Sequence, residues 1–247
     1  RRGARLVAVS AVQFQTGYRL PVREVARLAH AWGAELFVDG IQGVGVVPQS
    51  VVAEGIDYFV SGGHKWLMGL EGLGFAYAAP DAARALVPRL AGWLSHVEPA
   101  SFLFEGSGHL RHDRPLRPGL GFLESGTQNA VGAAALAASV GPLLALGPAA
   151  IFEHVDGYLG ALSAQLERRG FVSHRAPNLE ERAGILSVEL PGVPATQLQR
   201  ELGARGVVCS TPDGLLRFAP HWPNALAEVD LVVGALDEAL SEIRGQP

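Results

Sequence analysis

The 247-residue sequence has a single cysteine, Cys209, and this scarcity excludes an internal disulfide framework and any cysteine-based metal cluster. It has no block of positive charge: the arginines are scattered and the formal net charge is −4, so there is no basic field for nucleic acid. The first residues contain no apolar signal-peptide core, and cytoplasmic residence is the expectation. Membrane association is not expected either. The apolar stretch Ala130–Ala150 is Ala- and Gly-rich and broken by Pro142 and Pro148, which predicts a packed core helix in place of a membrane span. Internal repeats and low-complexity tracts are absent. Charged residues make up only 18% against 48% hydrophobic, a balance that excludes a disordered chain and, at this length, allows a sizeable core.

What is present alternates. "RLVAVSAVQFQTG" (Arg5 to Gly17) opens as a nearly continuous apolar run, the pattern of a strand covered on both faces, and ends in a Thr-Gly turn. "PVREVARLAHAWG" places Val22, Val25, Leu28 and Ala29 at helical spacing, with Pro21 for the first turn and Gly33 for the C-terminal cap. "AELFVDG", "IDYFVSGG" and "GLGFAYAAP" supply three further strands, so the first 80 residues predict an α/β sheet. From Asp81 to about Gly126 the pattern loosens, with a long Gly-, Pro- and Arg-rich stretch from residue 98 that marks a functional loop or a disordered one. Beyond it, a helix from Pro148 to Gly170 leads into strands "GILSVELPG", "GVVCS" and "LLRFAP", with helices "ATQLQRELGARG" and "ALAEVDLVVGALDEALSEI" between and after them. The division expected is 1–126, a mostly parallel α/β domain with an irregular loop at about 98–126, and 127–247, connecting helices and a small α+β domain.

Asp39 in "LFVDGIQ" and Lys65 in "GGHKW" fall just past strand ends, where open α/β sheets place their ligands. Lysine is rarely taken out of water unless its charge is paired or chemically consumed, and a Schiff base consumes it. Pyridoxal phosphate needs such an amine for its aldehyde and an acid to keep its ring nitrogen protonated. Gln42, three residues after Asp39, is a donor for the ring's phenolic oxygen.

In these segments the sequence resembles the class V group of fold-type I pyridoxal-phosphate enzymes, which includes cysteine desulfurases, kynureninases and isopenicillin N epimerase-like proteins. "VDGIQGVGVVP" is similar to the group's Asp-x-x-Gln segment and "DYFVSGGHKWLMGLEGLGFAY" to its Schiff-base segment. "ESGTQN" is similar to its Gly-Thr loop, "RAGILSVELPG" to its small-domain strand, and "LLRFAPHWPNALAEVD" to its C-terminal Arg strand and helix. The resemblance implies a fold-type I transferase-like architecture holding only part of the large domain. It implies pyridoxal 5′-phosphate as cofactor, with Lys65 the Schiff-base residue and proton carrier, Asp39 on the pyridinium and Gln42 on the phenolic oxygen. His64 and Ser61 would lie near the phosphate, and Thr127 would reach the phosphate of a neighbouring subunit in a homodimer with shared active sites. Arg217 would clamp the carboxylate of a small amino-acid substrate, a task suited to a planar bidentate donor.

The sequence also departs from the group. Gly62 stands where Ser is frequent, Gln13-Phe14 where Asn is common, and Phe122 where an Arg is often found. Cys209 lies in what is predicted as strand "GVVCS", an inert position, which disfavours persulfide chemistry. The chain begins at what resembles the middle of the large domain, so a fragment, or a site completed by another chain, is expected. The function expected is a lyase- or epimerase-like enzyme acting on an amino acid. The alternatives are an aminotransferase or cysteine desulfurase of the same group, or a truncated non-catalytic protein acting in dimerisation or partner binding. Each residue has a bland reading too: Lys65 a surface lysine, Asp39 a turn cap, His64 a backbone partner, Thr127 a helix N-cap and Arg217 an ion-pair residue. The cluster Arg111, His112, Arg114 and Arg117 is expected as a solvated loop, and the tryptophans as core or interface packing.

Overall fold

The apolar run after Arg5 forms β1 (Leu6–Ser10), and the Pro21-led segment forms α1 (Val22–Ala31). Gly33, at a φ of 70° that favours glycine, ends this helix. β2 (Glu35–Asp39), β3 (Tyr58–Gly62) and β4 (Gly74–Ala78) complete a four-stranded sheet in the order β1-β2-β3-β4. The structure, a computed structural model, describes residues 3–109, 111 and 113–245. β2 and β3 run parallel with Asp39 opposite Val60, and β4 returns antiparallel with Ser61 opposite Phe75 and Gly62 opposite Gly74. Asp57 ties this layer together: one carboxylate oxygen accepts the Leu36 N–H at 2.7 Å and lies 2.8 Å from His30 Nε2. Two short helices follow, α2 (Pro80–Ala85) and α3 (Phe102–Glu105).

α4 (Ala130–Leu146) and α5 (Pro148–Glu167) lead into an antiparallel sheet of β5 (Val172–Ser173), β6 (Leu186–Glu189) and β7 (Leu216–Phe218). α6 (Ala195–Ala204) precedes β7, and α7 (Glu228–Gly245) ends the chain, packed on α5 and α6. The apolar positions of these helices meet those of the sheet, so Leu159, Leu162, Leu198, Leu202 and Leu236 are fully buried. Each such side chain contributes about 1.5–3 kcal/mol of burial.

By contact the chain forms two units, Arg1–Val9 with Val22–Asp39 and Ser50–Ser139, and Ser10–Pro21 with Gly40–Gln49 and Val140–Pro247. The expected break lay at 126/127; the observed one falls inside α4, and two early segments belong with the C-terminal unit. Gly17 shows why. A Cβ there would meet the Ile185 backbone oxygen at 2.7 Å, and the Ser187 hydroxyl donates to the Gln15 carbonyl.

Three expected elements are corrected. β1 is not covered on both faces but alternates between exposed and half-buried, because it is the edge of the sheet. α4 is not a core helix: it continues through Pro142 and is mostly exposed, with Val131 at 73%. Its residues are apolar all round, so periodicity had no face to assign. "GVVCS" is no strand; only Ser210 pairs, as a lone bridge with Arg217. Among the described residues no single helix is long and apolar enough to cross a membrane.

Candidate active site

The carboxyl ends of β2 and β3 open onto a cavity of about 760 Å³ in the first unit. Asp39 closes β2 and is half-buried on its wall; Ser61, Gly62 and His64 line it from the end of β3 and the turn beyond. Ser61 is buried and its hydroxyl donates to the Gly62 carbonyl at 3.0 Å. The exposed His64 makes no hydrogen bond among the described residues, which removes its reading as a backbone partner. Phe75, Leu120, Leu123 and Glu124 also line the cavity and were not singled out from the sequence. Phe75 follows from strand pairing with Ser61, and Glu124 is held by Arg117 at 2.8 Å.

Lys65 follows in a tight turn closed by Met68 N–H to Lys65 O at 2.9 Å and Gly69 N–H to Gly63 O at 2.8 Å. The turn is fixed by Trp66, 5% exposed, and Leu67. Gly63 and Gly69 leave no room for a side chain, since a Cβ at either would stand 3.0–3.1 Å from a Leu136 methyl. Lys65 itself is exposed, not withdrawn from water, and makes no ion pair or hydrogen bond among the described residues. It is not among the cavity-lining residues. It is also the only lysine in the chain, a compositional signal that motif spacing did not use.

The other candidates separate. Gln42 belongs to the second unit and is 7% exposed, in the turn that follows β2. Thr127 is exposed and does not cap α4: Asn129 does, its side-chain oxygen accepting the Gly132 N–H at 2.8 Å. In the second unit Arg217, central on β7, donates from Nη1 to the Phe14 carbonyl at 3.1 Å, while its Nε is buried without a partner. No carboxylate pairs with it among the described residues, so the ion-pair reading has no partner, and burial pushes its pKa below the usual arginine value. Phe14 belongs to the turn Gln13–Gly17, so Gln13 and Arg217 lie in one neighbourhood. A half-buried guanidinium with no acid beside it is a site for an anion.

Arg111, Arg114 and Arg117 are paired with Asp113, Glu105 and Glu124, not merely solvated. His112 lies outside the described residues. Among the tryptophans, Trp66 is core whereas Trp32 is 86% exposed. Among the described residues no three His, Cys, Asp or Glu side chains gather as metal ligands.

Residues 1–215 match the family model described as Aminotransferase class-V. The chain belongs to the aminotransferase class-V family. It is 31% identical over 250 residues to the isopenicillin N epimerase of Streptomyces clavuligerus, covering 96% of this chain and 61% of that protein. It is 30% identical over 258 residues to a probable cysteine desulfurase of Chlamydia muridarum, covering 99% of this chain and 62% of that protein. An apo cysteine desulfurase structure from Thermococcus onnurineus NA1 superposes with a TM-score of 0.84 at 24% identity, over 97% of this chain and 60% of that one. The chain thus spans about three-fifths of the length of these class V relatives, and its fold is that of fold-type I pyridoxal-phosphate enzymes.

The class V family uses pyridoxal phosphate. Two residues on the cavity wall fit that group, the strand-end carboxylate of Asp39 and the His64 imidazole, and the Lys65 amine, engaged by no acid among the described residues, follows next in the chain without lining the cavity.

Proposed function

We propose that this chain is the lysine-bearing part of a pyridoxal-phosphate enzyme that acts on an amino acid, with a lyase- or epimerase-like outcome. The observation that carries it is the sole lysine, without an ion pair or hydrogen bond among the described residues, on a turn pinned by Trp66 and Leu67, directly after the strand whose end lines the Asp39 cavity. Pyridoxal phosphate, when bound, supplies the sink for electrons released at the substrate's alpha carbon. Lys65 would hold it covalently through Nζ and, once freed, carry the proton to or from that carbon. Asp39 would accept the ring N–H and keep it protonated, because a carboxylate favours the charged partner. His64 and Ser61 would face the phosphate, and Gln42 would donate to the phenolic oxygen. Arg217 would take the substrate carboxylate through its guanidinium, whose Nη1 is held by the Phe14 carbonyl. The exposed Thr127 would serve a neighbouring subunit of a homodimer.

A desulfurase outcome requires a nucleophilic thiolate. The half-buried Cys209 thiol has its pKa pushed up to about 11 by desolvation, so it stays protonated near neutrality, and this favours the lyase or epimerase reading. Unchanged sulfur release in Cys209→Ala would remove the desulfurase outcome altogether.

The decisive experiment adds pyridoxal phosphate to the full chain, reduces with borohydride and maps the adduct by mass spectrometry. Since there is one lysine, the expected result is one internal adduct, on Lys65, absent from Lys65→Ala. No adduct on the wild-type chain would overturn the reading and support the non-catalytic alternative.

A further inference from the structure

The second unit contains a cavity that none of the cofactor residues uses. After α6 the chain passes through Gly206, Val207 and Val208 to Ser210, which exchanges two backbone hydrogen bonds with Arg217 of β7. On the far side of that bridge the two extended segments part. Neither the Val208 N–H nor the Ala219 N–H makes a hydrogen bond among the described residues. The gap they leave is a cavity of about 480 Å³, lined also by Tyr158 of α5, Phe218, and Leu231 of α7.

Tyr158 is 5% exposed, and its hydroxyl has no partner among the described residues. It is not one of the sealed orphan atoms among the described residues, so it keeps some accessible surface, and Tyr158 lines the cavity. A buried phenol normally finds a partner. Burial, then the charge of Glu228, push its pKa up, so it remains a proton donor. The charged groups at the rim are already engaged. Arg205 is bound to Glu201, Glu238 and Glu242, and Glu228 accepts from the Ala225 N–H and Asn224 Nδ2. Among the described residues the one buried side-chain donor left without a partner at this cavity is thus the Tyr158 hydroxyl, with Val207, Phe218, Leu231 and Val232 supplying apolar contact and Val208 standing 94% exposed at the mouth.

We propose that this cavity binds a neutral, largely apolar small molecule carrying a carbonyl or amide oxygen, which accepts from the Tyr158 hydroxyl. The site does not depend on the cofactor chemistry proposed above.

The test titrates N-acetyl-phenylalaninamide into the full chain by calorimetry, with N-acetyl-aspartate as the charged control. Saturable binding is expected for the neutral probe and weaker binding for the control. Tyr158→Phe, which deletes one oxygen, should weaken the neutral probe by about three- to tenfold, the worth of one hydrogen bond. Leu231→Arg, at a position 71% exposed and with its fold checked by circular dichroism, should abolish binding by filling the groove. Absence of saturation, equal binding of the charged control, or affinity unchanged in either variant would overturn the proposal.

Discussion

The two units cover their sheets differently. In the first, β1 and β4 are largely open and α4 presents apolar residues to solvent; in the second, β6 and β7 are nearly closed by α5, α6 and α7. The unit that holds the Asp39 cavity is thus the less densely covered one. Packed apolar surface, the main source of stability, is concentrated in the second unit, while the cavity lined by Asp39 opens in the first.

This contrast can be broken by substitution. Leu162→Ala, at a fully buried position in the second unit, should lower unfolding free energy by about 2–5 kcal/mol, whereas Leu6→Ala on the open β1 should change it by less than about 0.5 kcal/mol, both read from urea titrations. Comparable losses at the two sites would show that β1 is covered in solution. Gly17→Ala comes next. Its φ of 75° and the Ile185 oxygen 2.7 Å from a new Cβ predict a loss of about 1–3 kcal/mol, seen as a lower denaturation midpoint. Asn129→Ala removes the cap of α4 and should cost about 1 kcal/mol, restored by Asn129→Asp.

The smallest effect concerns Cys209. Because its folded pKa is raised from 9.0 to about 11, the thiol form is favoured in the native state. Any contribution it makes to stability is complete below pH 9 and lost as pH rises towards 11. Iodoacetamide labelling of the native chain should accelerate only across that interval, while the urea-unfolded chain labels near pH 9. Rapid labelling at neutral pH would restore a reactive thiol.

The legible parts of the fold were local. β2, β3, β4 and α1 follow from apolar runs and from Pro21 and Gly33, which act on their own neighbours. Asp39 could be placed at a strand end because strand ends collect ligand groups, but Lys65, expected to converge on it, does not line the cavity that Asp39 lines. What could not be read depends on distant packing. Val207 and Val208 have strand composition, but their partner segment turns away after Phe218. The capping role of Asn129 was hidden behind the better-known preference of Thr127, two residues earlier. Membership of Ser10–Pro21 in the C-terminal unit rests on a contact such as Gln15 with Ser187, 172 positions apart, which leaves no periodic trace.

That long-range pairing bears on how the polypeptide matures. At roughly 5–20 residues per second, translation takes about ten to thirty seconds to travel from Gln15 to Ser187. Throughout that interval the Ser10–Pro21 segment has only the Gly40–Gln49 part of its unit to rest on, as where Arg19 Nη2 donates to the Pro48 carbonyl at 2.7 Å. The early segment must stay unaggregated until β6 emerges.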